Sequence, residues 1–290
     1  MDRMTHLKQA LPYIQKHTGS TFVIKLGGRV LSDERAMYSL AEDLSLLHNV
    51  GIHLVIVHGG GPQMNALASE MGVEQTIVEG RRVTDANTLR LSQMVFRGTL
   101  NTKFVSVLKE VGTSAVGISG LDGGLIEAVK RPLVNGVDFG HVGDIVRIHP
   151  QVIHALVDGG FIPVICSLGA SKTGQVFNIN ADTIAENIAL ELQAEKLFLL
   201  TDKSGLFADA EDESSLISYT DIAEVRHLME TGVIKDGMKP KITSTLRALE
   251  GGVSRVHIIN AFEPSSLLCE VFTNEGCGTL IVKDKHQIDL

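Results

Sequence analysis

The sequence predicts a three-layer αβα sandwich built around a mainly parallel central sheet. Three observations along the 290 residues carry that expectation. Short apolar runs recur, helix-length amphipathic segments separate them, and glycine-rich loops follow several of the runs. Runs of Val, Ile and Leu without alternation suit strands covered on both faces.

Residues 1–19 come first, with Met4, Leu7, Leu11 and Ile14 at helical spacing. This amphipathic helix has no strand partner of its own. It packs either on its own domain or, as an oligomerisation arm, on another subunit. Strands are expected at 21–26, 53–57, 115–118, 161–166, 196–200 and 255–259. Helices are expected at 35–49, 62–71, 87–111 with a break near Gly98, 150–158, 181–193, 221–231 and 239–250. Residues 123–149 alternate over short stretches and read as hairpins that decorate the sheet edge over a site, as does the polar turn at 171–175. No linker, repeat or low-complexity tract divides the chain, so a lobe change is placed on length alone. That places it somewhere near 175–195.

Composition narrows the function classes. The 26 Lys and Arg against 34 Asp and Glu leave a net charge of −8, which argues against a general nucleic-acid or anionic-membrane binder. The three cysteines, Cys166, Cys269 and Cys277, form neither a disulfide framework nor a paired metal motif. No apolar run approaches the ~18 residues of a membrane span, and no secretory or transit pattern opens the chain. A soluble cytoplasmic protein is expected.

Three glycine loops supply the chemical signal: Lys25-Leu26-Gly27-Gly28, His58-Gly59-Gly60-Gly61-Pro62 and Gly117-Ile118-Ser119-Gly120. Glycines at the carboxyl end of a parallel strand let backbone N–H groups approach an anion, and the next helix adds its positive N-terminus. Pro62 suits a first helical position. Any one loop also suits a purely steric turn. Three in one sheet converge where ligands of open α/β sheets bind. Neither common nucleotide fingerprint is present, and Gly169-Ala170-Ser171-Lys172-Thr173 has the wrong glycine spacing for a phosphate loop.

Lys25 and Lys241 are the candidate charges for a phosphate, the latter at a helix start where the dipole favours anions. Arg82 suits a carboxylate, which a guanidinium matches bidentately, whereas Arg81 reads as a surface residue. Asn178-Ile179-Asn180-Ala181-Asp182 precedes a helix, so Asn and Asp there serve equally as caps. Thr201 through Phe207 follow a strand and form either a nucleotide contact or a simple turn.

The ordered motifs KLGG, VHGGGPQ, GRRVTD, GISGLDGG, NINAD, LLTDKSGLF and GMKPK resemble the amino-acid kinase superfamily, and within it the acetylglutamate branch. The resemblance runs from about residue 5 to 283, and implies an acceptor-binding lobe over about 20–185 and a nucleotide-binding lobe over about 186–290. It implies transfer of the γ-phosphoryl group of ATP, accompanied by Mg²⁺, to the side-chain carboxylate of N-acetyl-L-glutamate. By motif position, Lys25 and Lys241 would stabilise the transferring phosphoryl group and Asp182 would orient them. Gly59 and Gly60 would offer amides, and Arg82 and Asn178 would bind the acceptor. Gly27, Gly28, Asp202, Lys203, Ser204, Gly205, Leu206, Phe207, Gly237 and Met238 would line the nucleotide site, with no protein-held metal. A carboxylate acceptor is already ionised at neutral pH, so no general base is required and His58 reads as structural.

The first segment resembles the extra helix of arginine-sensitive members. The resemblance implies a homo-hexamer, a trimer of dimers, inhibited by arginine bound between that helix and the C-terminal lobe. Two positions depart from the family pattern: Arg29 is bulky, and Asp236 brings a carboxylate toward the nucleotide. An aminoadipate kinase acting on a carrier-bound acceptor, or a catalytically weak regulatory paralogue, stays open as an alternative.

Overall fold

The computed structural model describes residues 3–78, 81–209, 212–234 and 238–286. In chain order the helices are α1 (Arg3–His17), α2 (Glu34–Asn49), α3 (Gly61–Glu70), α4 (Ala86–Ser92), α5 (Asn101–Glu110), α6 (Gln151–Asp158), α7 (Ala181–Glu191), α8 (Ile222–Glu230), α9 (Lys239–Glu250) and α10 (Ser266–Phe272). The first strands are β1 (Thr21–Leu26), β2 (His53–His58), β3 (Ile77–Val78), β4 (Arg81–Arg82), β5 (Ala115–Ser119), β6 (Ile126–Lys130), β7 (Gly143–Ile148) and β8 (Ile162–Cys166). The remainder are β9 (Leu168–Ala170), β10 (Val176–Asn178), β11 (Lys196–Thr201), β12 (Leu206–Phe207), β13 (Leu216–Ile217), β14 (Tyr219–Asp221), β15 (Arg255–Asn260) and β16 (Thr279–Val282).

Eight strands form the central sheet in the order β14-β16-β15-β11-β1-β2-β8-β5. All neighbours pair in parallel except β15 and β16. From β1 the chain builds outward through β2, whereas from β11 it builds the other way through β15. The boundary between β1 and β11 is therefore the switch in strand order, where a crevice opens at the strand carboxyl ends. No helix among the described residues is long and apolar enough to cross a membrane.

Side-chain alternation along β1 sorts the two helical layers. Phe22, Ile24 and Leu26 join the core under α2, α5 and α10, whereas Val23 joins the core under α6, α7, α8 and α9. By the same parity Lys25 faces α7 and α9.

A second sheet, β10-β9-β6-β7, arises from the hairpin-like region and the polar turn at 171–175. Three features depart from the expectations. The helix predicted to break near Gly98 does not break: α4 and α5 are joined by a π-helical stretch, Gln93–Leu100. The edge strand β14, its neighbour β16 and the helix α10 complete the C-terminal half, and the sequence pattern did not mark them. Strands of three or four residues leave too few positions for a period to register.

The C-terminal end of α1 packs on its own chain. Tyr13 donates to Asn274 Oδ1 at 2.5 Å, and His17 Nδ1 lies 2.9 Å from Glu195 Oε1. Of the expected apolar stripe, Leu11 is exposed and Ile14 half-buried; the side chains of Met4 and Leu7 lie outside what is described.

Candidate active site

The carboxyl ends of β1 and β2 carry the first two glycine loops, and packing explains why glycine is needed. A Cβ on Gly28 would come within 2.8 Å of Pro62 Cδ, and one on Gly60 within 2.3 Å of Leu100 Cδ1. The loops therefore press on each other and on the π-helical stretch, with no room for side chains. Gln63 fastens them by donating from Nε2 to the Gly28 carbonyl at 2.5 Å.

The chemical centre lies beside these loops. Lys25 Nζ is 2.8 Å from Asp182 Oδ1, and Lys241 Nζ is 3.2 Å from the same oxygen. One lysine comes from β1 and the other from α9, while Asp182 stands in the first turn of α7. Asn180 caps that helix, its Oδ1 accepting from the N–H groups of Asp182 and Thr183 at 2.8 and 3.2 Å. All three side chains are nearly buried.

Burial alone would raise the Asp182 pKa, but Lys25 and Lys241 outweigh it and hold the carboxyl at about 2. Lys241 is pulled below the ordinary lysine value by burial and by Lys25, with Asp182 opposing both. Two ammonium groups against one carboxylate leave a positive charge out of water. The N-termini of α3, α7 and α9 lie beside the same centre and add partial positive charge. The arrangement suits an anion that carries more charge than one carboxylate.

A cavity of about 870 Å³ opens over this centre. Lys25, Gly28, Gly59, Gly60, Arg82, Asn178 and Asp182 line it. Arg82 donates to Gln75 Oε1 and Asn65 Oδ1, and Asn178 Nδ2 donates to Thr84 Oγ1 at 3.2 Å. The β6–β7 hairpin covers one side through Arg131, Asp144 and Ile145. A larger groove of about 980 Å³ runs between α2 and the helix at 93–110. It lacks converging cations and amides, so chemistry and not volume assigns the site.

Asp202 through Phe207 follow β11 and flank Gly27, whose Cβ direction points at the Leu200 carbonyl. They do not line the 870 Å³ cavity. Asp202 pairs instead with Arg29, Ser204 Oγ donates to Glu263 at 3.0 Å, and Leu206 N–H donates to Thr279 Oγ1 at 2.8 Å. Lys203 is exposed. Met238 precedes α9, and Gly237 and Asp236 lie outside the described residues.

His58 is structural, as expected. It is fully buried, burial pulls its pKa down to about 4, and Asn101 lies 3.1 Å from its Nε2. Asn101, Gln63 and Glu186 are supporting residues the sequence reading missed. Glu186 lines the cavity and hydrogen-bonds Ser244 of α9, and burial raises its pKa. Its spacing of one helical turn from Asp182 was the available signal.

Across residues 20–260 the chain matches the amino acid kinase family, and it belongs to that family of phosphotransferases. Its curated relatives narrow the comparison. The acetylglutamate kinase of Halothermothrix orenii is 43% identical over 280 residues, covering 96% of this chain and 97% of its own. That of Symbiobacterium thermophilum is 45% identical over 288 residues, covering 98% of each. Among solved structures, the N-acetylglutamate synthase of Neisseria gonorrhoeae with coenzyme A and N-acetylglutamate superposes with a TM-score of 0.88 at 32% identity. The alignment covers 98% of this chain but only 64% of the synthase. The same synthase with coenzyme A and L-arginine gives a TM-score of 0.85 at 29% identity, covering 98% of this chain and 66% of the synthase.

Proposed function

We propose that the protein transfers the γ-phosphoryl group of ATP to the side-chain carboxylate of N-acetyl-L-glutamate, giving an acyl phosphate in arginine biosynthesis. The observation that carries the reading is the Lys25–Asp182–Lys241 cluster beside the glycine loops. Phosphoryl transfer needs alignment and charge stabilisation, because negative charge spreads over the equatorial oxygens. Lys25 and Lys241 offset the repulsion between two anions brought within bonding reach. Asp182 keeps both lysines charged and placed. The amides of Gly59 and Gly60 point at the transferring group, and Arg82 with Asn178 holds the acceptor's α-carboxylate and its surroundings. No side chain has to remove a proton from the acceptor.

ATP lies toward the carboxyl end of β11, along Gly27, Gly28, Asp202–Phe207, Gly237 and Met238. Mg²⁺ enters with ATP, held chiefly by its phosphates. Acceptor and nucleotide lie on opposite sides of the β1–β11 boundary, and a lobe division at residues 185 and 186 would fall within α7. The free thiols fit a cytoplasmic setting. The relatives' names favour acetylglutamate over a carrier-bound aminoadipate.

Hydroxylamine trapping decides the acceptor. Pure protein with Mg-ATP should give a hydroxamate from N-acetyl-L-glutamate and far less from aminoadipate or aspartate. No hydroxamate from any of them would leave the regulatory reading in its place.

Residues 1–19 serve as the arm of a hexamer, and arginine binds where α1 meets α10. Two observations favour a guanidinium there. Glu195 and Glu270 place carboxylates near that seam, and the related synthase was solved with L-arginine. Removing residues 1–12 keeps Tyr13 and His17, so their contacts within the chain survive. Light scattering should then report dimers in place of hexamers, and calorimetry on the intact chain should show arginine binding. An unchanged mass would discard the arm, and an absence of binding heat would discard the effector.

A further inference from the structure

Three thiols take no part in the phosphoryl-transfer site. Cys166 is buried at the end of β8, and Cys269 and Cys277 are half-buried. Cys269 lies in α10, and Cys277 follows the turn that leaves this helix. The chain folds back there so that Cys277 Sγ lies 3.3 Å from the Ser266 carbonyl oxygen. Cys269 is one turn along from Ser266, and the Cα–Cβ bonds of a helix tilt toward its N-terminus, so the Cβ of Cys269 leans over the turn that Cys277 Sγ touches. Cys269 is among the neighbours that push the Cys277 thiol up, and its own Sγ lies 3.8 Å from Thr273 Oγ1.

A buried carboxylate sets this return path. Glu270 Oε2 accepts from the N–H groups of Cys277 and Gly278 at 2.9 and 3.2 Å, and Glu270 Oε1 lies 2.8 Å from His257 Nδ1. Thr273 Oγ1 donates to the Cys269 carbonyl at 2.7 Å and pins the start of the turn. The thiols are thus adjacent because the polar frame holds them so, with no bond between the sulfurs.

We propose that Cys269 and Cys277 form an oxidation site, in which a low-molecular-weight disulfide converts the two thiols into one intramolecular disulfide. The balance is simple. Cys269 loses its proton and attacks one sulfur of the oxidant, whose S–S bond breaks. One reduced thiol leaves with that proton, and Cys269 carries a mixed disulfide. Cys277 then loses its proton and attacks the Cys269 sulfur, and the second reduced thiol leaves. Two protein thiols are oxidised to one cystine, and one oxidant disulfide is reduced to two thiols.

The order of events follows from the surroundings. Burial first, then Cys269 and Glu270, push the Cys277 thiol up to about 12, so it does not react first. Capping Cys269 removes both of that residue's contributions, so the Cys277 thiol ionises more readily in the second step while burial still holds it up. Burial pushes Cys166 up to about 12 as well, which makes it an internal control.

The test treats the native protein with oxidised glutathione and maps the thiols by peptide mass. The expected product lacks two hydrogens and links the Cys269 and Cys277 peptides, with Cys166 unmodified. Cys277→Ser should trap glutathione on Cys269, and Cys269→Ser should leave Cys277 free. In the linked protein, hydrogen exchange at the Cys277 and Gly278 amides should slow at least several-fold. Glutathione persisting on wild-type Cys269, a link through Cys166, or no reaction at all would overturn the proposal.

Discussion

Replacing Lys25 with alanine should lower kcat by about 10²- to 10³-fold, the usual consequence of removing one preorganised donor from a developing charge. KM for N-acetyl-L-glutamate should move far less, because the ammonium is needed chiefly where the phosphoryl group carries its spread charge. The fold should survive. Asp182 keeps Lys241 at 3.2 Å, so no buried charge is left alone. Steady-state kinetics and a thermal melt on the same preparation check both halves. Near-normal turnover with an intact fold would remove Lys25 from the centre of the reaction.

Replacing Asp182 with asparagine should do more harm. The two ammonium groups then face each other without their shared counter-charge, and a broken buried pair costs about 3–5 kcal/mol. Turnover should fall by about 10²- to 10³-fold or more, since both lysines lose their placement.

The pH profiles separate the causes. The folded pKa of Asp182, about 2, lies below its ordinary 3.8. Its contribution to stability is therefore present above the ordinary value and lost as pH falls through the folded one. The variant should lose that acid-limb component. Lys241 titrates below the ordinary lysine value in the native protein, so activity should decline early as pH rises. Without the carboxylate, that decline should begin at lower pH still. Equal alkaline limbs in both proteins would show that Lys241 does not govern the profile.

Much of this centre was legible because it rests on short-range features. Lys25 sits in a strand next to two glycines and Lys241 at a helix start beside a proline, each a local pattern with a physical reason. Asp182 reads locally as no more than a cap, and the family resemblance supplied its expected role. The sheet was legible in the same way wherever apolar runs reached five or six residues.

What escaped depends on contacts distant in sequence. Nothing near Gln63 marks its bond to Gly28, and nothing near Asn101 marks its contact with His58. The edge strand β14 forms because β16 lies beside it. The π-helical stretch escaped because an extra residue in one turn leaves the apolar spacing almost unchanged.

That stretch also shapes the anion cradle. Its wide turn brings Phe96 and Leu100 against Gly60, and the following Asn101 reaches His58 at the base of the second glycine loop. Closing that stretch to regular winding would take one residue out of the wall, and the side chains left in it would no longer meet Gly60 as Phe96 and Leu100 do. The rod on either side would largely keep its register, so the loss would fall on the wall behind the glycine. The grip on phosphate is in this sense inherited from a single misfit in the winding of a neighbouring rod.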